Sequence, residues 1–356
     1  MDKVIVGMSG GVDSAVSAYL LKQDGYDVIG VFMKNWDEQK DGECLAAEDY
    51  EDVRDICNRL NIPYYTVNFE KEYWDQVFSF FLTEYKLGRT PNPDILCNQK
   101  IKFAAFWDFA QKMGTDFLAT GHYARIERSP DGVCLKKAVD TTKDQTYFLC
   151  MLGKEQIENV LFPVGSLKKA EVRKIAEQQG LSVAKKKDST GICFIGERKF
   201  KQFLTNYLPA CPGEMRTQEG EYIGKHEGLM YYTIGQRRGL NIGGRGTGER
   251  WFAVKKDLEN NILYVEQGSE HPALYSGALR MKEFNFISGE RPAKQFECGA
   301  KFRYRQPDQR VNVVAENEGY LVEFFEKQRA ITPGQYCVLY DGDICLGGGV
   351  IEEAIT

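Results

Sequence analysis

The first half of the chain alternates short, continuous apolar runs with amphipathic stretches. Residues 4–7 (VIVG), 28–33 (VIGVFM) and 64–69 (YYTVNF) read as buried strands. Residues 15–23 and 43–60 have helical spacing, and residues 70–86 place Tyr73, Trp74, Val77, Phe78 and Phe81 on an apolar helical face. Residues 117–125 read as a further strand running into Gly121-His122, residues 126–139 as a hairpin turning at Asp131-Gly132, and residues 168–179 as a basic amphipathic helix. Strands alternating with helices predict an α/β fold with a parallel, doubly wound sheet, whose ligands sit at the carboxyl ends of the strands. After a short helix at 200–208, Pro209 and Pro212 mark a boundary. A Gly-rich, strand-like stretch fills 213–265. Six strand-like runs then follow, at 279–286, 297–305, 311–315, 320–325, 335–340 and 344–351, the pattern of a small β-barrel. The expected organisation is a catalytic domain at 1–207, a small central domain at 208–273 and a C-terminal barrel at 274–356.

Composition supports a chain of 356 residues that buries real cores, being 43% hydrophobic. No apolar run approaches the length of a membrane span. Met1-Asp2-Lys3 leads straight into the first strand, so no targeting segment is expected and the cytoplasm is the simplest compartment. Ten cysteines are scattered without any C-x-x-C pair, and there are three histidines, so no metal site of usual spacing is expected. In a reducing compartment most of these thiols are small buried hydrophobes, with one or two available for chemistry. The net charge of −5 argues against global nucleic-acid affinity. Two basic runs, 168–187 and 301–310, stand out in an acidic chain and suit phosphate contacts.

Between the first strand and the first helix lies Ser9-Gly10-Gly11-Val12-Asp13-Ser14. Paired glycines let the backbone turn and approach a ligand, and the helix that follows offers unpaired N–H groups with a partial positive charge. Together they make an anion site. No Gly-Lys-Ser/Thr closes it, and it lacks the dinucleotide spacing, so it is neither of those loops. SGGVDS resembles the pyrophosphate loop of the ATP pyrophosphatase superfamily, which splits ATP into AMP and pyrophosphate. The doubly wound arrangement brings Gly7, Ser9 and Met33 near one another, with Met33 as an adenine wall or as core filler.

Two cysteine loci carry candidate chemistry. In Gly88–Asn98 (GRTPNPDILCN), Pro91 and Pro93 bar regular structure and hold Asn92 extended. A helix is expected to start after Cys97, which would favour its thiolate, as would Lys100 and Lys102. Asp94 lies close enough to exchange a proton with a bound group. The second locus, Cys193, lies between Gly191 and Gly196 and follows Lys185-Lys186-Lys187; a buried strand ICFI and a reactive thiol read equally well there. Gly121 permits close approach of a nucleotide, His122 reads as a structural hydrogen-bonder, and Lys143-Asp144-Gln145 as polar and exposed.

With GMSGGVDS, GRTPNPDILCN, TGHYAR, KDQTYFL, DSTGICFIG, YTIGQRRGL, FRYRQ and TPGQ in this order, the chain over essentially its whole length resembles the tRNA-specific 2-thiouridylases. The resemblance implies ATP-dependent exchange of the C2 oxygen of the wobble uridine for sulfur, in the tRNAs for Lys, Glu and Gln. It implies a persulfide on Cys193, Cys97 as nucleophile, a Cys97–Cys193 disulfide, and Asp94 as acid/base beside a base lined by Asn92 and Pro93. Gly7, Met8, Ser9, Gly10, Gly11, Val12, Asp13, Ser14, Met33 and Gly121 match ATP contacts. His122, Lys143, Asp144, Gln145, Arg303, Tyr304, Arg305 and Gln335 match tRNA-contact regions. ATP comes with Mg2+, the sulfur from a cysteine desulfurase or relay protein, and the target base is extruded to be reached. A second arrangement would hold an iron–sulfur cluster on Asp94, Cys97 and Cys193. Two other functions compete: another pyrophosphatase-loop synthetase or ligase, which needs neither thiol, and a non-catalytic RNA-binding module.

Overall fold

The computed structural model describes residues 1–36, 45–130, 132–188, 200–243 and 246–356. Strands β1 (Lys3–Met8), β2 (Asp27–Lys34), β3 (Tyr64–Asn68) and β4 (Phe117–Thr120) belong to one sheet; β5 (Ala124–Ser129) and β6 (Gly132–Lys137) form the hairpin; β7 (Val160–Leu161) returns to the first sheet. That sheet has the order β3-β2-β1-β4-β7, and all its pairings are parallel. Both faces are covered, because side chains alternate along each strand. Val4, Val6 and Met8 pack against α1 (Val12–Gln23), α2 (Leu45–Leu60) and the helix Lys169–Gln178. Ile5, Ile29 and Val31 face the helices at 70–86 and 93–112, through Val77, Phe78, Phe81, Ile101 and Phe106. From β1 the chain steps outward to β2 and β3, then crosses back to β4 and β7. The reversal opens a crevice at the carboxyl ends of β1 and β4, where ligands of such sheets bind.

A second sheet has the order β10-β11-β8-β9, from β8 (Gly213–Arg216), β9 (Tyr222–His226), β10 (Trp251–Asp257) and β11 (Ile262–Gln267). Met215, Ile223, Leu263 and Val265 form its core. The last six strands are β12 (Tyr275–Phe286), β13 (Gln295–Lys301), β14 (Gln309–Glu316), β15 (Gly319–Arg329), β16 (Tyr336–Asp341) and β17 (Ile344–Ile355). They run antiparallel and close through β12–β17, so the barrel leaves no free edge between them. The expected α/β sheet, central domain and β-barrel are therefore all present.

Two features were not expected. The hairpin β5–β6 leaves the parallel sheet and extends the barrel sheet, with Ile344 opposite Lys136 and Arg125 paired to Asp343 at 2.8 Å. The barrel and the parallel-sheet unit also share one core: Tyr147, Leu149 and Cys150 cluster with Tyr336, Val338, Tyr340 and Cys345, and the Tyr147 hydroxyl donates to the Tyr336 carbonyl at 3.1 Å.

Candidate active site

The loop after β1 folds on its own serines. Ser14 Oγ accepts from the Ser9 N–H at 3.2 Å and donates to the Gly11 carbonyl at 3.1 Å. Gly10 has φ +69°, and a Cβ there would lie 2.7 Å from the Asp49 carbonyl oxygen, so only glycine fits. Gly11 is extended, precedes α1 as its N-cap and, being glycine, brings no side chain to cap the helix. The first-turn N–H groups are thus left for an anion. Gly121 packs against this turn: a Cβ would meet Ser14 N at 2.7 Å. Gly7 lies between Met33 and Phe106, whose atoms would stand 3.3 and 3.2 Å from a Cβ. Gly7, Ser9, Gly10, Gly11, Ser14, Met33 and Gly121 therefore converge. Met8 and Val12 point into the core and can offer a ligand only their backbone.

Asp13 is the centre of an ion-pair network. The Tyr123 hydroxyl donates to its Oδ1 at 2.9 Å, and Lys169 Nζ donates to both its oxygens at 2.8 Å. Lys169 also pairs with Asp188 at 2.9 Å, which in turn receives Lys143 and Arg173, each at 2.7 Å. Burial alone would push the Asp188 carboxyl up, but hydrogen bonds from Lys143 and Lys169 hold it down at about 2. Lys186 donates to the Gly10 carbonyl at 3.1 Å and pairs with Asp49 and Asp52. The basic run at 168–187 is therefore divided. Lys169 and Lys186 are turned onto the loop and Arg173 onto Asp188 and the Ala184 and Lys186 carbonyls, while Lys168, Lys174, Lys185 and Lys187 stay exposed. Sequence reasoning singled out neither Lys169 nor Asp188 by itself; the signal was Asp188 opening the DSTGICFIG motif.

Cys97 differs from its expectation. The helix starts at Pro93, not after Cys97: Asn92 is extended (φ −115°, ψ 94°), Pro93 takes the first position and Asp94 lies in the first turn. Cys97 sits one turn inside, where the helix widens into π-type geometry over Cys97–Ala105. Its side chain is 1% exposed. Burial pushes the thiol up to about 11, although Lys102 lowers it and Asp94 raises it. In the free protein, desolvation thus outweighs the positive charge that favours a thiolate.

The same helical track runs from this thiol toward the glycine-rich loop. Phe103, where the track kinks (φ −111°, ψ 16°), packs on the His122 ring at 5.8 Å, and Phe106 reaches Gly7. His122 bonds Thr120 Oγ1 through Nδ1 at 2.7 Å. Burial, aided by Lys102, holds its pKa well below the ordinary range, so the imidazole is neutral. Asn98 Nδ2 donates to the Phe148 carbonyl at 2.9 Å, tying the helix to the segment after Lys143-Asp144-Gln145.

The loop before this helix is held by both other sheets. Lys256 Nζ, whose pKa burial lowers to about 8, donates to the Gly88 carbonyl at 2.7 Å. Thr90 N donates to the Pro333 carbonyl at 2.9 Å, and Gln335 Nε2 donates to the Thr90 carbonyl at 2.7 Å.

Of the expected tRNA contacts, Lys143 and Tyr304 meet: the Tyr304 hydroxyl bonds the Lys143 carbonyl at 3.4 Å, and its ring lies 4.4 Å from Phe148. Asp144 is buried at 4% exposure, not exposed as expected; it accepts from Ala138 N and Thr146 Oγ1. Gln145 Oε1 accepts from Tyr123 N at 2.9 Å. Arg303 donates to the Ile234 and Ala330 carbonyls, and Arg305 is exposed. Cys193 lies outside the described residues. Among the described residues no group of three His, Cys, Asp or Glu stands together as a metal site, and no helix is long and apolar enough to cross a membrane.

A parallel sheet with a Gly-rich turn at its switch point, joined to a central sheet and a closed barrel, defines the class: an α/β protein of the HUP fold carrying two β domains. Residues 2–197 match the family model described as tRNA methyl transferase HUP domain. Residues 201–267 match tRNA methyl transferase PRC-barrel domain, and residues 276–351 match Aminomethyltransferase beta-barrel domain. The chain is 61% identical over 355 residues to tRNA-specific 2-thiouridylase MnmA 1 of Geobacillus kaustophilus (strain HTA426), covering 99% of this chain and 96% of that protein. It is 60% identical over 355 residues to tRNA-specific 2-thiouridylase MnmA of Alkaliphilus oremlandii (strain OhILAs), covering 99% and 98%. Among solved structures, the U34-tRNA thiolase NcsA from Methanococcus maripaludis gives a weak likeness, with TM-score 0.35 and 20% identity over 51% of this chain and 57% of that chain. The chain belongs to the tRNA-specific 2-thiouridylase (MnmA) family, a family of tRNA sulfurtransferases.

Proposed function

We propose that the protein 2-thiolates the wobble uridine of tRNA for Lys, Glu and Gln at the expense of ATP. The observation that carries this reading is one helical track, 93–112, kinked at Phe103, with Asp94 and Cys97 in its opening turns and Phe106 against Gly7, at the end of β1 before the glycine-rich loop. A thiol, an acid and an anion site on one track are what adenylation followed by sulfur transfer requires.

ATP-Mg binds with its phosphates over the Ser9–Ser14 loop and its adenine beside Met33 and Gly121. The extruded uridine reaches Asp94 between Asn92 and Pro93. As O2 attacks the α-phosphorus, Asp94 takes the N3 proton and pyrophosphate leaves. The terminal sulfur of a Cys193 persulfide attacks C2 and AMP leaves, so the base is joined to Cys193 through a disulfide. Cys97 loses its proton to solvent water once the site has opened to receive the base, and its thiolate attacks Cys193 Sγ. The base leaves as its thiolate and regains the N3 proton from Asp94, three residues before Cys97 on the helix. The Cys97–Cys193 disulfide is then reduced to two thiols by an external dithiol, or by two equivalents of a monothiol, which supply two electrons and are themselves oxidised to a disulfide. Lys143, Asp144, Gln145, His122, Arg303, Tyr304, Arg305 and Gln335 line or build the tRNA-facing side, Asp144 from within. The domains are taken as 1–207, 208–273 and 274–356.

The test is a thiolation assay with unmodified tRNA-Glu, ATP-Mg, cysteine and a cysteine desulfurase, read as retardation in a mercury gel. Wild type should give a shifted band; Cys97→Ser, Cys193→Ser and Asp94→Asn should give none. An active protein that carries stoichiometric iron, lost together with activity on chelation, would replace the persulfide by a cluster. A wild type that makes no thio-tRNA but cleaves ATP with a small acid would sink the reading.

A further inference from the structure

The widened segment Cys97–Ala105 is clasped from outside. Gln156, at the third position of the short helix Lys154–Glu158, turns its side-chain amide onto it: Nε2 donates to the Gln99 carbonyl at 3.1 Å and to the Phe103 carbonyl at 2.9 Å. Gln99 and Phe103 are four residues apart and so share one side of the track, and Phe103 is where it kinks. A side chain set into the carbonyl ladder is one of the few causes of such a kink. Oε1 of the same amide accepts from the Gly153 N–H at 3.0 Å, so both ends of Gln156 are committed and its orientation is fixed. Two bonds run the other way. Asn98 Nδ2, on a residue 2% exposed, donates to the Phe148 carbonyl at 2.9 Å, and Gln99 Nε2 donates to the Met151 carbonyl at 3.2 Å. Residues 148–156 are thus fastened along the segment whose first residue is Cys97. Their leading residue, Phe148, packs on Tyr304, which bonds the Lys143 carbonyl.

We infer that Gln156 is a positioning residue for sulfur transfer: its two hydrogen bonds to the Gln99 and Phe103 carbonyls hold the widened turn that carries Cys97, and tie that turn to the tRNA-facing segment at 143–148. The inference rests on the thiolation reading above. A sulfur is attacked in line with the bond that breaks, so the place of the attacking thiol sets the rate. Without the amide both carbonyls lose a donor, and the segment repairs this by tightening toward ordinary α geometry, which shifts Cys97 relative to Phe106 at its other end. The competing explanation is that Gln156 only caps its own helix, through the bond to Gly153.

Gln156→Glu separates the two, because it keeps the acceptor that caps the helix and removes both donors to the track. The measurements are single-turnover thiolation, the KM values for ATP and tRNA, and iodoacetamide labelling of Cys97 at pH 8, with buried Cys57 and Cys337 as internal references. Gln156→Glu should lower single-turnover thiolation about tenfold or more, with both KM values within about twofold of wild type. Labelling of Cys97 should speed up about tenfold while Cys57 and Cys337 keep their rates. Gln99→Ala removes one bond of the clasp at a half-buried position, and should move thiolation and Cys97 labelling the same way by several-fold. That variant keeps the test independent of whether Gln156→Glu folds. Wild-type thiolation and Cys97 labelling in Gln99→Ala, or in a folded Gln156→Glu, overturn the inference, as does equal acceleration at all three thiols, which would be general loosening. A wild type that makes no thio-tRNA removes the thiolation reading itself; a wild type that thiolates, with both variants matching it, overturns this inference alone.

Discussion

The side-chain amide of Gln335 donates to the Thr90 carbonyl at 2.7 Å, across 245 positions of sequence. The barrel thereby holds the loop that launches the Asp94–Cys97 helix. Gln335→Ala removes one hydrogen bond, about 1 kcal/mol of stability. Its larger effect is expected on chemistry, because a small misplacement of reacting groups costs ten- to a hundred-fold in rate as a rough scale. Thiolation should fall by roughly that factor while the KM for ATP stays put. Single-turnover thiolation beside a thermal melt checks this, and an unchanged rate would show that the barrel contact does not position the helix.

Gly121 and Gly7 both border the nucleotide crevice, but they should respond differently to alanine. At Gly121 the added Cβ would meet backbone, Ser14 N at 2.7 Å and Asp13 C at 2.8 Å. At Gly7 it would meet the Phe106 ring edge at 3.2 Å and the Met33 methyl at 3.3 Å, and the methyl can move. Gly121→Ala is expected to cost about 1–3 kcal/mol and to raise the KM for ATP at least about tenfold; Gly7→Ala should cost less than about 1.5 kcal/mol. Denaturant melts and ATP kinetics on the two variants decide it; equal penalties would mean that the turn at Gly121 yields more easily than its contacts imply.

Cys97 should be slow to alkylate in the free protein. Its thiol is buried and raised to about 11, so iodoacetamide labelling at pH 8 should mark exposed Cys211 before Cys97. Labelling of Cys97 should accelerate only as pH climbs toward 11. Peptide mass spectrometry across pH 7 to 10.5 reads this directly. Rapid modification of Cys97 at pH 7 would mean that its helix opens readily, contrary to a packed site.

Asp188 should make stability depend on pH in acid. Its folded pKa of about 2 lies below the ordinary 3.8. Its contribution is therefore complete above about pH 4 and is lost as pH falls from there through about 2. Asp188→Asn should show a shallower loss of melting temperature across that window. Parallel slopes for the two proteins would mean that the three cations do not hold the carboxylate as described.

Local order was legible in the chain. The strands at β1, β2 and β3, the helix at 70–86, the hairpin and the six barrel strands all follow from period and turn residues, because these signals act over a few neighbouring positions. Motif order also carried the family, since SGGVDS and GRTPNPDILCN keep their chemistry in short stretches. Tertiary structure decided what depends on distant partners. Cys97 lost its expected thiolate character because Ile95, Ile101 and the surrounding core remove water from it, and burial is not written in the residues beside it. Asp144 turned inward because Ala138 and Thr146 offer it hydrogen bonds. The basic run at 168–187 split because Asp13, Asp49, Asp52 and Asp188 converge on one side of it. Side-chain types along the chain determine which charges and strands exist; only packing in three dimensions determines which of them meet, and so which are free to act.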